Sequence, residues 1–356
     1  MAIYKIFPEA DTTLYSAYPT KNTGLDEILE ISVKNLEVAS GSDDIRRSIV
    51  KFSDSDIQKI SALKGSSVYD VYLKLYLANA ENLTSPYILK FHQVTNTWNM
   101  GTGKFTDNPA VTNGASWYST SSYTGSNSNW TNPSYFNLRG GGSWTDSGVS
   151  QSFSYNDNKD INAKVTNIFY NWINNQTNAG ILIKHTSSFE NQSNSYAVLN
   201  FFSVDTHTIF PPCLEMRWDD SSYNTGSLLV VDNSNTVLNI SNNPGTIKNK
   251  TEKYSFKITA RDKYPVRTFS TSSIYNINKA LPSSSFWAIQ DVKTEDMIID
   301  FDDNYTKISC DETNSFFDLY INGLEPERYY KILIKMLLNS GETIVVDNDC
   351  IFKIVR

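Results

Sequence analysis

Histidine is the residue most often used for acid–base catalysis, and this chain of 356 residues contains three. His92 falls within the apolar run LKFHQV, His185 ends ILIKH, and His207 lies in the loop-like stretch FSVDTHTIFPP. The sequence contains no G-x-S-x-G, H-E-x-x-H, P-loop or G-x-G-x-x-G pattern that would give a histidine a nucleophile, a metal or a phosphate to act on. We therefore predict structural histidines, no catalytic residues and a protein that is not an enzyme.

Pairs of carboxylates are the remaining route to catalysis, because glycoside hydrolases use two acids about 5–10 Å apart. The neighbouring acids Asp54/Asp56, Asp219/Asp220 and Asp302/Asp303 are predicted to be turn and cap residues. A parallel β-helix hydrolase would show coil repeats, and the sequence has no internal repeat. A pair that is distant in sequence stays open at this point.

Metal ligands are equally sparse in the sequence. YNDNKDIN at 155–162 and DNDC at 347–350 offer oxygen atoms on turns, as structural Ca²⁺ sites do, but neither has EF-hand spacing. Cys213, Cys310 and Cys350 are far apart and form no Cys/His ligand pattern. We predict free thiols, with a Cys310–Cys350 disulfide as the alternative, and neither a metal nor a cofactor.

Aromatic side chains in a long polar stretch are the strongest candidates for function. Residues 99–159 are rich in Ser, Thr, Asn and Gly, and a loop of this length is usually functional or disordered. Its interleaved aromatics argue against simple disorder. They either form a platform on which sugars stack or pin the loop to the domain or to a neighbouring subunit. The candidate interface or glycan-contact residues are Trp117, Tyr118, Tyr123, Trp130 and Trp144.

Short apolar runs with a period of two indicate that β-strands position this stretch. RSIVKF, VYDVYLKLYL, YILKFHQV and AGILIKH follow this pattern, and CLEMRW at 213–218 is predicted as the closing strand. DINAKVTNIFYNWI at 160–173 instead has helical spacing, with Asp160 as N-cap. SDSDIQKI at 53–60 predicts one further helical turn. The sequence therefore predicts an all-β N-terminal β-sandwich with one short helix.

The last third of the chain predicts a second, smaller β-sandwich-like domain. The polar segment 221–227 is read as a linker between domains at 1–220 and 228–356. Strands are expected at 228–232, within 254–269, and at one or two places in TIVVDNDCIFKIV. Five further strands are predicted at 285–291, 297–301, 307–310, 316–321 and 330–337.

Composition excludes several classes of protein. The formal net charge of −7 argues against a nucleic-acid-binding protein, which would usually present a basic face. The sequence contains no run of 18 apolar residues, so no membrane-spanning helix is predicted. The opening residues MAIYKIFP lack the apolar core and cleavage site of a signal peptide, so the expected site of synthesis and assembly is the cytoplasm.

The order of several stretches resembles the DNRLRE-type β-sandwich domain over roughly residues 1–220. They are ADTTLYSAYPTKNTG, RRSIVKF, VTNTWNMGTGKFTDNPAVTNGASW, DINAKVTNIFYNWINNQTNAGILIKH and PPCLEMRW, although the hexapeptide of the family name is absent. The last third is similar to the terminal module of many tailed-phage structural proteins. ARDKYPVRTF, LPSSSFWAIQD, MIIDFDDNYTKIS and GLEPERYYKILIK carry that likeness.

Together the two resemblances imply a structural protein of a tailed-phage virion: a neck, collar, tail or fibre-attachment component that acts as an assembly adaptor. Its expected partners are other virion proteins and further copies of itself in a symmetric ring or oligomer, with the C-terminal domain as docking module. The alternative is a glycan-binding receptor-recognition module on a virion or cell surface. Neither nucleic acid nor membrane is an expected partner.

Overall fold

The structure is a computed structural model that describes residues 2–34, 44–81, 83, 86–123, 130–131, 140–154, 156–174, 177–190, 196–265 and 277–356. The chain forms two compact units. The N-terminal unit comprises Ile6–Gly65 and Asp70–Glu215, and the C-terminal unit comprises Met1–Lys5, Ser66–Tyr69 and Met216–Arg356. These units part at Glu215, whereas the predicted domains parted at 220, and the C-terminal unit also takes two segments from the first 70 residues.

The prediction of an all-β fold is confirmed, with 46% of the residues in strands and 8% in helices. The strands of the first 218 residues are β1 (Ala2–Ile6), β2 (Pro8–Tyr15), β3 (Ile28–Lys34), β4 (Asp44–Phe52), β5 (Tyr69–Leu75), β6 (Leu77–Glu81), β7 (Tyr87–Val94), β8 (Trp144–Phe153), β9 (Ile161–Lys164), β10 (Ile181–His185), β11 (Tyr196–Phe202) and β12 (Cys213–Trp218). The helices are α1 (Asp54–Lys64), α2 (Thr166–Ile173) and α3 (Ser187–Glu190).

An eight-stranded antiparallel sheet dominates the N-terminal unit. Its strand order is β6-β11-β3-β4-β10-β7-β8, and β2 pairs with β4 as well. Leu182 on the central strand β10 lies opposite Ile49 of β4 and His92 of β7. All five residues of β10 are buried, because both faces of the sheet centre are covered. In the same unit β5 pairs with β9, Leu75 opposite Ile161.

The C-terminal unit contains two further sheets, built from β13 (Thr236–Ile240), β14 (Thr246–Lys248), β15 (Lys253–Asp262), β16 (Ser285–Asp291), β17 (Met297–Ile299), β18 (Ser309–Cys310), β19 (Ser315–Tyr320), β20 (Tyr329–Leu337) and β21 (Thr343–Val355). Their orders are β13-β15-β19-β18 and β14-β21-β20-β16-β17, and a 3₁₀ turn covers Ile321–Gly323. Phe317 of the first sheet stacks on Trp287 of the second, with ring centroids 4.8 Å apart, and Phe256 packs on Phe352 at 5.4 Å. Rings from both sheets thus share one core, as in a sandwich.

Residues from the start of the chain complete this core. Ile3 is buried in the same hydrophobic cluster as Trp287 and Phe317. The Lys5 ammonium donates a hydrogen bond to the Ile298 carbonyl at 3.1 Å, and the Asn322 amide donates one to the Lys5 carbonyl. Strand β1 therefore belongs physically to the C-terminal unit, although it lies more than 200 residues earlier in sequence.

The helix prediction at 160–173 was wrong in its first half. Residues 161–164 form β9, and the helix begins only at Thr166. Ile161 and Ala163 are buried while Asn162 and Lys164 are exposed, a period of two that pairing with β5 selects over local helical preference. The Asp160 carboxylate does not cap the helix, because it accepts the Leu77 N–H at 2.8 Å.

Other predicted elements also need correction. The described residues contain three helices rather than one, and α1 extends over eleven residues where a single turn was predicted. Strand β8 lies inside the stretch predicted to be loop. No strand forms at 228–232, where Val230 makes an isolated bridge with Ala280. TIVVDNDCIFKIV forms one strand, β21.

Candidate functional site

Asn22, in the turn between β2 and β3, organises the loops at one edge of the N-terminal unit. Its side chain is fully buried. The amide nitrogen donates to the carbonyls of Met100 and Ala115 at 2.7 and 2.8 Å, and the amide oxygen accepts the Gly103 N–H at 2.8 Å. One side chain therefore ties the β2–β3 turn to two points of the following long loop, about 80 and 90 residues away in sequence.

Glycines surround Asn22 because no larger side chain fits. A Cβ on Gly101 would lie 2.4 Å from the Asn22 amide oxygen, and one on Gly114 would lie 2.5 Å from its nitrogen. Gly101 also has a φ of +77°, a conformation that side-chain-bearing residues rarely adopt. The glycines in the GTG and TNGAS stretches thus permit close packing of backbone on Asn22.

The three tryptophans among the candidate contact residues are core residues. Trp117, Trp130 and Trp144 are 2%, 5% and 5% exposed and belong to one hydrophobic cluster. The indole N–H of Trp130 donates to the Ser116 carbonyl at 2.9 Å, so its polar atom is satisfied internally. These side chains hold the loop on the sheet, and none of them is available to stack on a sugar in this structure.

A buried charge cluster, formed by Arg47, Lys184 and Glu190, lies beneath these tryptophans. Arg47 on β4 donates two hydrogen bonds of 2.9 Å to the Glu190 carboxylate on α3 and a third, of 2.7 Å, to the Gly141 carbonyl. Lys184 on β10 contacts the same carboxylate at 2.7 Å. All three side chains are at most 1% exposed.

The tryptophan rings enclose the cationic members of the buried charge cluster. The Arg47 guanidinium lies 4.9 Å from the Trp117 ring and 5.0 Å from the Trp144 ring, and the Lys184 ammonium lies 5.4 Å from Trp144. Such cation–π contacts gain strength where water is excluded. The cluster therefore joins sheet strands, α3 and the glycine segment 140–142 in one polar network.

Two cations share one anion in this cluster, and the pKa values reflect that imbalance. Burial lowers the pKa of Lys184 to about 8, with the neighbouring Arg47 adding to the effect and Glu190 opposing it. Burial also works against ionisation of Glu190, but the two cations outweigh it and hold the pKa of that carboxyl below its usual range. Glu190 is therefore ionised at neutral pH, and its negative charge offsets the free-energy cost of burying the two cations.

The candidate residues at the surface are tyrosines. Tyr118 and Tyr123 are 38% and 40% exposed, and Tyr18 in the β2–β3 turn is 48% exposed. Their loops are joined by backbone hydrogen bonds: Tyr118 N–H to the Pro19 carbonyl and Asn22 N–H to the Val111 carbonyl, both at 2.9 Å. We call Tyr18, Tyr118 and Tyr123 the tyrosine surface.

Aromatic and ionic contacts support the tyrosine surface from beneath. The Phe105 ring packs edge-on against Tyr18, with centroids 5.3 Å apart, and in a tilted arrangement against Tyr15 at 4.8 Å. The Lys21 ammonium lies 4.8 Å from the Phe105 ring and donates to the Phe105 carbonyl at 2.6 Å. The exposed tyrosines therefore rest on loops that are fixed by packing as well as by Asn22.

Several of the carboxylates singled out in the sequence occupy turn or helix-start positions, although none of them caps α1 with its side chain. Asp54 and Asp56 lie in the first turn of α1. Asp219 accepts the Ser221 N–H and Asp302 accepts the Asn304 N–H, each at 2.8 Å. The residues that the structure describes contain no group of three or more His, Cys, Asp or Glu side chains able to hold a metal ion.

The cysteines and histidines also occupy the predicted structural positions. All three cysteines are free, and the alternative Cys310–Cys350 disulfide does not form. His92 bonds the Thr145 carbonyl at 2.9 Å and His185 bonds the Ala197 carbonyl at 3.2 Å. Burial is the main reason why the pKa of each is lowered to about 4, so both are neutral at physiological pH.

Sequence reasoning missed the buried charge cluster and the role of Asn22. Arg47 lies 143 residues before Glu190 in the sequence. No local pattern links Arg47 to Glu190 or to Lys184. A weak signal was the cation Arg47 within the predicted strand RRSIVKF, since a charge that becomes buried in a strand requires a partner. Asn22 lies in the quoted stretch ADTTLYSAYPTKNTG, but its long-range hydrogen bonds have no sequence signature.

Comparison with known proteins adds no family to this description: neither a protein-family model nor a curated protein matches the chain. Among the described residues, none of the helices has the length and apolar character needed to cross a membrane.

Proposed function

We propose that this chain is a structural component of a tailed-phage virion, in the neck, collar, tail or fibre attachment, and that it acts as an assembly adaptor. The order of motifs along both halves of the sequence supports the virion assignment. The observation that carries the adaptor role is the tyrosine surface, which presents three aromatic side chains on loops fixed by Asn22 and Phe105.

Rigid exposed tyrosines are well suited to protein–protein binding. Tyrosine is enriched at interface cores, where its ring is buried and its hydroxyl finds a partner. Because the supporting loops are already ordered, association costs less conformational entropy than it would with a mobile loop. In a symmetric assembly each such contact would be repeated around the ring.

Exposed apolar side chains give the C-terminal unit a second surface of this kind. Leu229 and Ile277 are 62% and 59% exposed, and the Leu229 carbonyl accepts the Ala280 N–H at 2.8 Å, which fixes the backbone beneath it. We propose that the C-terminal unit docks on a neighbouring virion subunit through this region.

The alternative function, recognition of a host surface glycan, is favoured by one observation. Tyr118 and Tyr123 expose ring surface on which a sugar can stack. This alternative retains only the tyrosines of the five candidate residues, since Trp117, Trp130 and Trp144 are core residues.

The test begins with mass spectrometry of salt-washed virions of the phage that encodes this chain. We expect the protein at a fixed copy number that is a multiple of the particle's symmetry. Its recovery only in the soluble lysate would contradict the virion assignment.

A second step separates assembly from glycan binding. Phage carrying Tyr18→Ser, Tyr118→Ser and Tyr123→Ser together are compared with phage carrying Tyr170→Ser, a tyrosine on α2 that is even more exposed. An adaptor role predicts that only the triple variant fails to enter particles. Normal incorporation with reduced adsorption to host cells would favour the glycan alternative.

A further inference from the structure

Strand β21 has an open edge along its first residues. Thr343–Asp347 pair with Leu333–Leu337 of β20, whereas β14 pairs only with Lys353–Val355 at the far end of the strand. No residue that the structure describes pairs with the second side of 343–347, which we call the open edge. Its sequence TIVVD contains no proline and no lysine, the residues that commonly protect strand edges from further pairing.

The hydrogen-bond pattern of the β20–β21 hairpin shows which backbone groups point to the open edge. The Leu338 N–H donates to the Glu342 carbonyl at 2.9 Å, and the Leu337 N–H donates away from β21, to the Ser284 carbonyl at 3.0 Å. Bonding alternates along an antiparallel pair. Every second residue of β21 from Glu342 to Val346 therefore bonds to β20, and the residues between them point away from it.

Thr343, Val345 and Asp347 are the residues whose N–H and C=O groups point to the open edge. These groups have no backbone partner in the part of the chain that the structure describes. The side chains are also incompletely covered: Val345 is 55% exposed, and Ile344 and Val346 pack on the C-terminal core but are only partly buried. A further strand would satisfy the backbone groups and cover these side chains together.

We propose that the open edge pairs with the open edge of a second copy of this chain, antiparallel and about a two-fold axis at Val345. In this register Val345 lies opposite Val345 of the second copy, and the two residues exchange both N–H···O bonds. Thr343 of each copy lies opposite Asp347 of the other, so every outward N–H meets a carbonyl. Ile344 and Val346 face each other across the same axis.

The charges at the open edge favour this register of two identical edges. Thr343 faces Asp347, and Glu342 faces Asn348, so no two carboxylates are opposed. A shift by one residue in either direction would place Glu342 opposite Asp347 or Asp349, and like charges directly opposite each other destabilise a strand pair. The two-fold register is thus complementary in hydrogen bonding and in charge.

Sedimentation equilibrium of the purified whole chain tests the pairing without any phage component. Because an edge of five residues buries little area and binds weakly, the range is about 5–500 µM. We expect a dimer whose fraction rises with concentration. A chain that stays monomeric over this range would overturn the pairing, and would leave the proposed function, which rests on other surfaces, untouched.

Two substitutions of Val345 assign the dimer to the open edge. Val345→Pro removes an outward N–H but no bond to β20, so it should fold, since proline is tolerated at such edge positions. It should raise the dimer Kd roughly tenfold or more, because the central pair of hydrogen bonds is lost. Val345→Thr keeps the N–H and the branched side chain, and should change the Kd much less. Equal Kd values in the two variants would contradict the proposal.

Oxidative cross-linking checks the register by a separate measurement. Val345→Cys places two thiols across the axis, at the Cα separation of about 5.5 Å of a hydrogen-bonded pair, which a disulfide can span. Leu337→Cys, at a position of β20 that is 42% exposed, lies one strand farther from the axis and is the control. Copper-catalysed oxidation should trap the first variant as a dimer, above the background of the wild-type cysteines. Equal trapping of both variants, or none of either, would overturn the register.

Discussion

At the scale of single residues, the N-terminal unit depends on polar groups inside its core. The Arg47–Glu190 pair has two parallel hydrogen bonds of 2.9 Å and no exposure. Removing one member of such a pair leaves the other charge buried without compensation, which is far more costly than losing a surface ion pair. The buried charge cluster therefore makes different predictions for its anionic and its cationic members.

Glu190→Gln should destabilise the N-terminal unit by about 3–5 kcal/mol, because Arg47 and Lys184 would then be buried as two unpaired cations. Lys184→Met should cost much less, since it leaves the Arg47–Glu190 pair intact and replaces the ammonium stem with an apolar chain of similar length. Urea unfolding monitored by tryptophan fluorescence measures both. Equal losses of unfolding free energy in the two variants would contradict the prediction that the anion of the buried charge cluster matters more than Lys184.

Buried histidines make a second residue-scale prediction, about acid. The pKa of His92 is lowered to about 4, mainly by burial, whereas a histidine in the unfolded chain titrates near 6.5. Between these values the unfolded state binds more protons, so stability falls as pH decreases from 6.5 to 4. The free energy of unfolding of His92→Gln, measured relative to that of the wild type, should therefore increase by up to about 3 kcal/mol as the pH is lowered from 6.5 to 4.

The control for the acid prediction is His207→Gln, at an exposed position. Comparing each variant with wild type at every pH removes the contribution of the other titratable groups. A relative stability of His92→Gln that is constant between pH 6.5 and 4 would mean that His92 is already protonated in the folded protein.

At the scale of elements, the long loop is ordered by backbone approach to one asparagine. Gly101→Ala should cost more than Gly65→Ala, although both glycines have positive φ, +77° and +55°. At Gly65 nothing lies within 4 Å of the added Cβ, so only backbone strain of about 1–2 kcal/mol applies. At Gly101 the Cβ would meet the Asn22 amide oxygen at 2.4 Å, which should add roughly 1–3 kcal/mol.

Hydrogen exchange checks the prediction for Gly101 directly. The Gly103 N–H, which donates to Asn22, should lose protection in Gly101→Ala and keep it in Gly65→Ala. Comparable stabilities and unchanged exchange at Gly103 in both variants would contradict the role given to Asn22.

Elements were predictable where local pattern and pairing agree. The strand predicted at 285–291 matches β16, and CLEMRW matches β12. β8 was missed because its residues TDSGVSQS are polar, and pairing with β7 rather than burial makes it a strand. The polar stretch that supplied the candidates contains buried tryptophans as well as exposed tyrosines, so its local pattern does not separate core aromatics from surface ones. Asn22 and Glu190 act only through distant partners.

At the scale of the whole molecule, the C-terminal unit includes residues from the start of the chain. In the core of the C-terminal unit, Ile3 belongs to one cluster with Phe256 and with residues much later in the sequence. No local pattern predicts this, because an apolar strand at the start of a chain fits either half equally well. Stability of the C-terminal unit is therefore expected to depend on residues outside the predicted 228–356 domain.

Ile3→Ala tests this dependence. Loss of a buried isoleucine should destabilise the C-terminal unit by about 2–5 kcal/mol. Hydrogen exchange should show reduced protection in β16 and β20, with β4 and β10 of the N-terminal unit unchanged. Ile31→Ala, a fully buried residue of β3, should give the converse pattern. Loss of protection in β4 alone for Ile3→Ala would place β1 in the other unit.

Translation gives the placement of β1 a consequence in time. Ile298 accepts a hydrogen bond from the side chain of Lys5 and Asn322 donates one to its backbone carbonyl, and they are synthesised 293 and 317 residues after it. At about 5–20 residues per second, β1 waits on the order of 15–60 s for these partners. During that wait its buried apolar side chains lack much of the core that covers them in the folded chain, which leaves them open to chaperones and to other nascent chains. A chain released before residue 298 is made therefore lacks both groups that bind Lys5 and much of the core that covers Ile3.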